Sequence, residues 1–195
     1  MALKKQAKTL SKGQIEGLLG YISGTRDPVR NRVIVLLSVK AGLRAKEIAA
    51  LTWHMVTDAS GDIGDRINLQ DRASKGRSGR VIPINRELRQ ALAALRSSDR
   101  ASRPSPHIIT TERSTATSPQ AVVNLFSRWF HALGLRGCSS HSGRRTFITN
   151  AARKISTVGG SLRDVQILAG HSALSTTQRY IEADASAQRK IVELV

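Results

Sequence analysis

Acidic residues, cysteine, aromatics and long apolar runs are all scarce in this chain of 195 residues. The single cysteine, Cys138, excludes a disulfide framework and any cysteine-based zinc cluster. The longest run of Val, Ile and Leu, from Val33 to Leu37, is far too short to span a bilayer. The N-terminus, Met1 to Leu10, is basic but lacks the apolar stretch of a signal peptide. These absences predict a cytoplasmic chain with no membrane partner. Only 14 residues are Asp or Glu, against 31 Lys and Arg, so the formal charge is +17.

What is present is a core and a one-signed surface. Hydrophobic residues make up 40% of the chain, enough to exclude wholesale disorder. Between Glu112 and Asp164 there is no carboxylate, while Arg113, Arg128, Arg136, Arg144, Arg145, Arg153, Lys154 and Arg163 all fall there. From Arg72 to Arg103 nine cations stand against Glu87 and Asp99. A solubilising surface interleaves both signs, whereas segregated positive charge suits phosphate neutralisation. A folded chain this basic points first to nucleic acid. Charge alone does not separate DNA from RNA, or binding from chemistry.

The hydrophobic pattern predicts a mainly helical protein with a small antiparallel sheet inserted early, an α+β arrangement. Residues 1–10, with Lys4, Lys5 and Lys8, read as a flexible basic arm ahead of one domain over 11–195. Ser11 and Gln14 have capping-box spacing, and Ile15, Leu18, Leu19 and Ile22 follow at helical intervals. Asp27-Pro28 starts a second helix that Gly42 ends. A short helix carries Glu47, Ile48 and Leu51. Arg66 to Leu69 and Arg80 to Ile84 alternate as strands, joined by a glycine-containing turn at 75–79. Two or three strands are expected, with Ile108 and Ile109 forming a further short one. Helices resume from Asn85 to Arg96 and from Ser118 to Gly134. In the latter, Val122, Val123, Phe126, Trp129 and Phe130 share one face and read as core. Helical patterns continue around 141–153, 161–168 and 175–181, with a last short helix over 183–195.

Taken singly, the residues that could carry chemistry are weak signals. Tyr21 and Tyr180 are the only tyrosines. Tyr21 lies in an amphipathic helix. Tyr180 follows His171 by nine residues, across a turn-prone segment, and the residues alone leave it open between packing and chemistry. His141 and Arg144 are three apart on one helical face. Arg44 stands at a helix start and Lys75 at a hairpin tip.

Together these residues resemble the catalytic domain of the tyrosine recombinases, the phage integrase family, over Leu10 to about Ile181. Four boxes carry the resemblance, in the family's order. The first is Ala41-Gly42-Leu43-Arg44-Ala45-Lys46-Glu47-Ile48, followed by Leu51-Thr52-Trp53. The second is Lys75-Gly76, then Arg80-Val81-Ile82-Pro83-Ile84. The third is His141-Ser142-Gly143-Arg144-Arg145-Thr146-Phe147. The fourth is Leu168-Ala169-Gly170-His171-Ser172, then Ser175-Thr176-Thr177-Gln178-Arg179-Tyr180.

The resemblance implies the recombinase catalytic-domain fold and a site-specific DNA strand exchange. Arg44 and Arg144 would grip a scissile phosphate, a task that suits the permanent charge and donor fork of arginine. Tyr180 would attack the phosphorus and form a 3′-phosphotyrosyl link. Lys75 would protonate the leaving 5′-oxygen, and His141 would help take the phenol proton or position the phosphate. His171 would donate to a phosphate oxygen. Glu47 would orient the centre from behind. Arg77, Arg80, Arg145 and Arg179 are expected to contact DNA. The covalent link conserves the phosphodiester energy, so the resemblance implies no cofactor and no metal. It implies double-stranded DNA as partner, self-association as a tetrameric synapse, and action at the nucleoid.

Two features depart from the family. Gly143 stands where the family usually has Leu, and is expected to loosen its helix by up to about 1 kcal/mol. Arg145 stands where His is frequent. Only about ten residues precede the catalytic domain, where most family members carry a separate N-terminal domain, so the chain is expected to be either a short member such as the fimbrial phase-switch invertases or a truncated integrase. That leaves room for accessory DNA-bending proteins. Residues 184–195, ending in Ile191, Val192, Leu194 and Val195, are expected to dock either within the chain or on a neighbouring protomer. The alternative functions are a non-catalytic DNA-binding regulator or accessory factor on the same fold, and a topoisomerase-like strand cutter.

Overall fold

The structure is a computed structural model, and it describes residues 7–70, 79–98, 105–180 and 192–193. Local signals start its helices where the sequence places them. Helix α1 (Lys12–Ser23) opens on a reciprocal box: Gln14 N–H donates to Ser11 Oγ at 3.2 Å and Ser11 N–H to Gln14 Oε1 at 2.9 Å. Helix α2 (Pro28–Lys40) begins with proline at its first position. Its Val33, Ile34, Val35, Leu36 and Leu37 are all fully buried. A helix apolar on every side must be surrounded, and α1, α3 (Ala45–Ala50), α4 (Arg86–Arg96) and α6 (Ser142–Lys154) all pack on it. Burial of each such side chain stabilises the fold by roughly 1.5–3 kcal/mol.

Strands β1 (Arg66–Leu69) and β2 (Arg80–Pro83) pair antiparallel, with Arg66 opposite Pro83 and Leu69 opposite Arg80. Ile67, Leu69 and Ile82 face the core. The sheet among the described residues has two strands. Ile108 and Ile109 do not add a third. They are buried behind a single bridge between Thr52 and His107, and Ile108 N–H donates to Leu51 C=O at 3.0 Å. Their apolar character reflects burial of a loop and not a ladder. Helix α5 (Pro119–Ala132) buries Val122, Phe126, Trp129 and Phe130, with Val123 half-buried, so that face is core. Helices α7 (Leu162–Ala169) and α8 (Leu174–Gln178) follow α6. Ile148, Val165 and Ala169 form a second, smaller core against which Tyr180 packs.

Two expectations need correction. Residues 7–10 are not a free arm. Leu10 enters the main core, Lys8 N–H donates to Gly137 C=O at 3.1 Å, and Leu10 N–H donates to Thr146 Oγ1 at 2.7 Å. Nor does Gly143 simply loosen α6. A Cβ at position 143 would overlap Ser38 Oγ and come within 2.9 Å of Ser38 Cβ. The missing side chain is what lets α6 lie against α2. The expected helix over 183–195 falls outside the described residues, apart from Val192 and Glu193. No described helix is long and apolar enough to cross a membrane.

Candidate active site

The α2–α3 corner presents the first component. Gly42 turns it with φ +65°, and a side chain at 42 would collide with Phe147 of α6. Arg44 then caps α3. Its N–H donates to Glu47 Oε2 at 2.8 Å and its Nη1 to Glu47 Oε1 at 2.8 Å. Glu47 is fully buried, whereas the Arg44 side chain keeps 25% of its exposure.

Arg80 grips the same carboxylate from the other side, Nη1 to Oε1 at 3.0 Å and Nη2 to Oε2 at 3.1 Å. Burial raises the Glu47 pKa, but the hydrogen bonds and charges of Arg80 and Arg44 outweigh it and hold the pKa below the usual value. Arg80 Nε donates to Leu168 C=O at 2.9 Å. The Arg80 stem crosses Gly170, where a Cβ would lie 2.9 Å from Arg80 Cδ and where φ is +61°. The expected DNA-contacting role of Arg80 is therefore corrected. Its side chain is 3% exposed and spent on Glu47 and the main chain.

Arg144, on the first turn of α6, is buried at the centre. Its Nη1 donates to Gly42 C=O at 2.7 Å. Its Nη2 lies 2.6 Å from Ala169 C=O and 3.0 Å from His171 Nε2. Desolvation, with help from the Arg44 charge, lowers its pKa to about 10, so it stays protonated at neutral pH. Three guanidiniums, Arg44, Arg80 and Arg144, thus surround one carboxylate, Glu47. That uncompensated charge in a poorly hydrated place is suited to an anion.

His171 is held at both ring nitrogens, with Nδ1 2.9 Å from Thr177 Oγ1, and its carbonyl accepts from Gln166 Nε2 at 2.9 Å. Burial first, then the charges of Arg144, Arg44 and Arg80, push its pKa down to about 4. The Tyr180 ring stacks on the His171 ring, centroids 5.4 Å apart and planes 23° off parallel. The Tyr180 carbonyl accepts from Thr149 Oγ1 at 3.1 Å. An open cleft of about 340 Å³ runs over this centre, lined among others by Ala7, His141, Arg144, Arg145, Arg179 and Tyr180. His141 stands at the start of α6, its pKa lowered by partial desolvation and then by Arg144 and Arg44.

Of the candidates, Arg44, Glu47, His141, Arg144, His171 and Tyr180 gather at this place, and Arg145 and Arg179 reach the cleft wall. Lys75 and Arg77 lie outside the described residues. Tyr21 is 41% exposed on α1. Sequence reasoning missed Thr177, Thr149 and Gln166, which fix His171 and Tyr180, and missed the inward turn of Arg80. The spacing of Thr177, six residues after His171 beside a helical segment, was the one available signal.

Comparison with known proteins converges on one family. The model of the Phage integrase family matches residues 8–187. A tyrosine recombinase XerA of Thermococcus kodakarensis is 32% identical over 95% of this chain and 62% of its own length. A tyrosine recombinase XerC of Shewanella is 28% identical over 99% of this chain and 63% of its own. The chain therefore spans a little under two thirds of the curated relatives it matches. A XerA recombinase crystal structure superposes with a TM-score of 0.75 at 22% identity, over 95% of this chain and 64% of the other. The Tn1549 transposon integrase, solved with a circular intermediate DNA, gives 0.76 at 20% identity over 100% and 68%. At such identities the superpositions establish the shared fold.

Proposed function

Because the chain belongs to the Phage integrase family, we propose that it is a site-specific DNA recombinase of the integrase or invertase type that cuts and rejoins strands through a 3′-phosphotyrosyl link. The observation that carries this reading is the meeting of Tyr180 with Arg144 in one cationic cleft, behind which Arg44 and His171 stand. The phenol oxygen of Tyr180 attacks phosphorus. A P–O bond to tyrosine forms as the P–O5′ bond breaks. His141 takes or relays the phenol proton, and Lys75 supplies one to the departing 5′-oxygen. Arg44 and Arg144 neutralise the charge growing on the non-bridging oxygens, and His171 adds a donor once its Nε2 carries a proton.

Double-stranded DNA is the substrate, and similar folds have been solved in complex with DNA, the Tn1549 integrase with a circular intermediate DNA among them. Strand exchange between two sites calls for protomers to self-associate on DNA as a tetrameric synapse, with accessory bending proteins where the grip of one domain is too weak. The chain's place of action is then the cytoplasmic nucleoid. Residues 184–195 are the candidate protomer contact. Truncation after Ala183 should leave a folded protein that fails to pair two sites. A monomer unfolded by the truncation, or unaltered pairing, rejects that contact.

The central test is a nicked suicide duplex carrying the natural site. The wild type should form a covalent adduct stable to denaturant, and Tyr180→Phe should bind the duplex without forming one. Adduct formation by the Phe variant removes Tyr180 as nucleophile. DNA binding without any wild-type adduct leaves a DNA-binding protein on this fold.

A further inference from the structure

Glu47 holds the guanidinium of Arg44, yet a carboxylate bonded to one arginine alone would cancel the charge Arg44 needs to attract a phosphate. The structure resolves this with a second arginine. Arg80 covers both oxygens of Glu47 at 3.0 and 3.1 Å, and its side chain and Glu47 are respectively 3% and 0% exposed. Two arginines thereby share one carboxylate, and the trio keeps one positive charge, carried on its exposed side by Arg44.

We infer that Arg80 is a positioning residue for strand cleavage: it neutralises Glu47 so that Arg44 keeps an uncompensated positive charge on its exposed side, and it ties this corner to the turn that bears His171. The tie is the bond from Arg80 Nε to Leu168 C=O. The next residue, Ala169, supplies a carbonyl to Arg144, and His171 is two residues further on. Arg80 sits on β2, close in sequence to Lys75, so one side chain joins the second box to the first and the fourth. Gly170 leaves room for it, since any Cβ there would touch the Arg80 stem. A lysine has the charge but cannot span both oxygens and a carbonyl at once.

This inference rests on the recombinase reading, and the test separates the two. Wild type, Arg80→Met, Arg80→Lys and the double variant Arg80→Met/Glu47→Gln are compared on the nicked duplex, with thermal unfolding and DNA affinity measured alongside. Arg80→Met should lose about 100-fold or more in adduct rate, the scale of one preorganised donor, while affinity changes by less than about threefold because many other cations remain. Removing the carboxylate that then cancels the Arg44 charge, in the double variant, should recover about tenfold. Arg80→Lys should retain more activity than Arg80→Met. A role confined to holding the fold would show no recovery on adding Glu47→Gln. Adduct formation by Arg80→Met within about threefold of wild type, or a folded double variant no better than Arg80→Met, overturns the inference and leaves the recombinase reading intact. If Arg80→Met does not fold, Arg80→Lys decides: a folded lysine variant as inactive as Tyr180→Phe rejects the charge-balancing role. Absence of a wild-type adduct rejects the recombinase reading itself.

Discussion

Arg144 Nη2 lies 3.0 Å from His171 Nε2. A guanidinium has only protons to offer, so the imidazole nitrogen facing it is bare. The ring proton then sits on Nδ1 and is donated to Thr177 Oγ1. His171 is thus neutral and an acceptor toward Arg144 in the free protein. To donate from Nε2 to a phosphate oxygen, the ring has first to gain a proton there, by protonation or by a shift of tautomer in which Thr177 Oγ1 becomes the donor to Nδ1.

The neutral state of His171 sets a direction for acid stability. Its folded pKa is about 4, below the ordinary 6.5. Between those values the unfolded chain binds a proton that the folded chain does not, so stability falls as pH drops through that window and is level above it. His141 is shifted the same way. The urea midpoint should fall from about pH 7.5 to about pH 4.5, and should fall less in His171→Asn. An equal fall in both proteins contradicts the bare, buried imidazole.

Arg144 and Arg44 should separate in stability. Arg144→Ala strands the carbonyls of Gly42 and Ala169, each costing about 1–3 kcal/mol when buried and unsatisfied. Arg44→Ala leaves Glu47 still bonded to Arg80 and costs about 1 kcal/mol or less. Both should reduce cleavage by about 100- to 1000-fold. Chemical denaturation beside the adduct assay measures both effects. Equal destabilisation by the two variants contradicts the main-chain anchoring of Arg144.

Position 143 should behave as a contact. Gly143→Ala gains helix propensity of about 1 kcal/mol, yet overlap with Ser38 should make it destabilising by about 1–2 kcal/mol. Ser38→Gly should recover most of that loss when combined with it. Ser38→Ala alone should be close to neutral, since the buried Ser38 Oγ has no hydrogen-bond partner among the described residues. Additive effects at 38 and 143 would argue against the contact.

DNA affinity should fall steeply with salt. If about six phosphates are neutralised, the slope of log K on log salt is about −5. Arg179→Ala, an exposed residue on the cleft wall, should reduce that slope by about one. A flat response would exclude phosphate-dominated binding.

The sequence made the helices legible because caps and periodicity are local. Ser11 with Gln14, Pro28, Asn85 and Ser118 each mark an observed start. The gathering of Arg44, His141, Arg144, His171 and Tyr180 was legible only through the boxes of a known family, since the bond from Arg144 to Gly42 spans 102 residues. Arg80 was misread because a buried arginine and a surface one are the same letter. Its partner Glu47 lies 33 residues away. Leu10 was assigned to an arm because lysines surround it in sequence, although one apolar side chain with a 2.7 Å bond to Thr146 fixes the segment. Gly143 invited an argument from propensity when the deciding term was the space shared with Ser38.

Arg144 and Arg80 are secured in ways that evolve differently. Two of the three groups that hold Arg144 are main-chain carbonyls, of Gly42 and Ala169, and a carbonyl survives any change of side chain. Drift at those positions can displace an anchor but never delete it. Arg80 and Glu47 hold each other by side chains alone, so losing either removes both bonds of the pair at once, and the two positions should vary together or not at all. Among distant relatives position 169 should therefore vary in side chain without loss of its anchor, while positions 47 and 80 change as a pair.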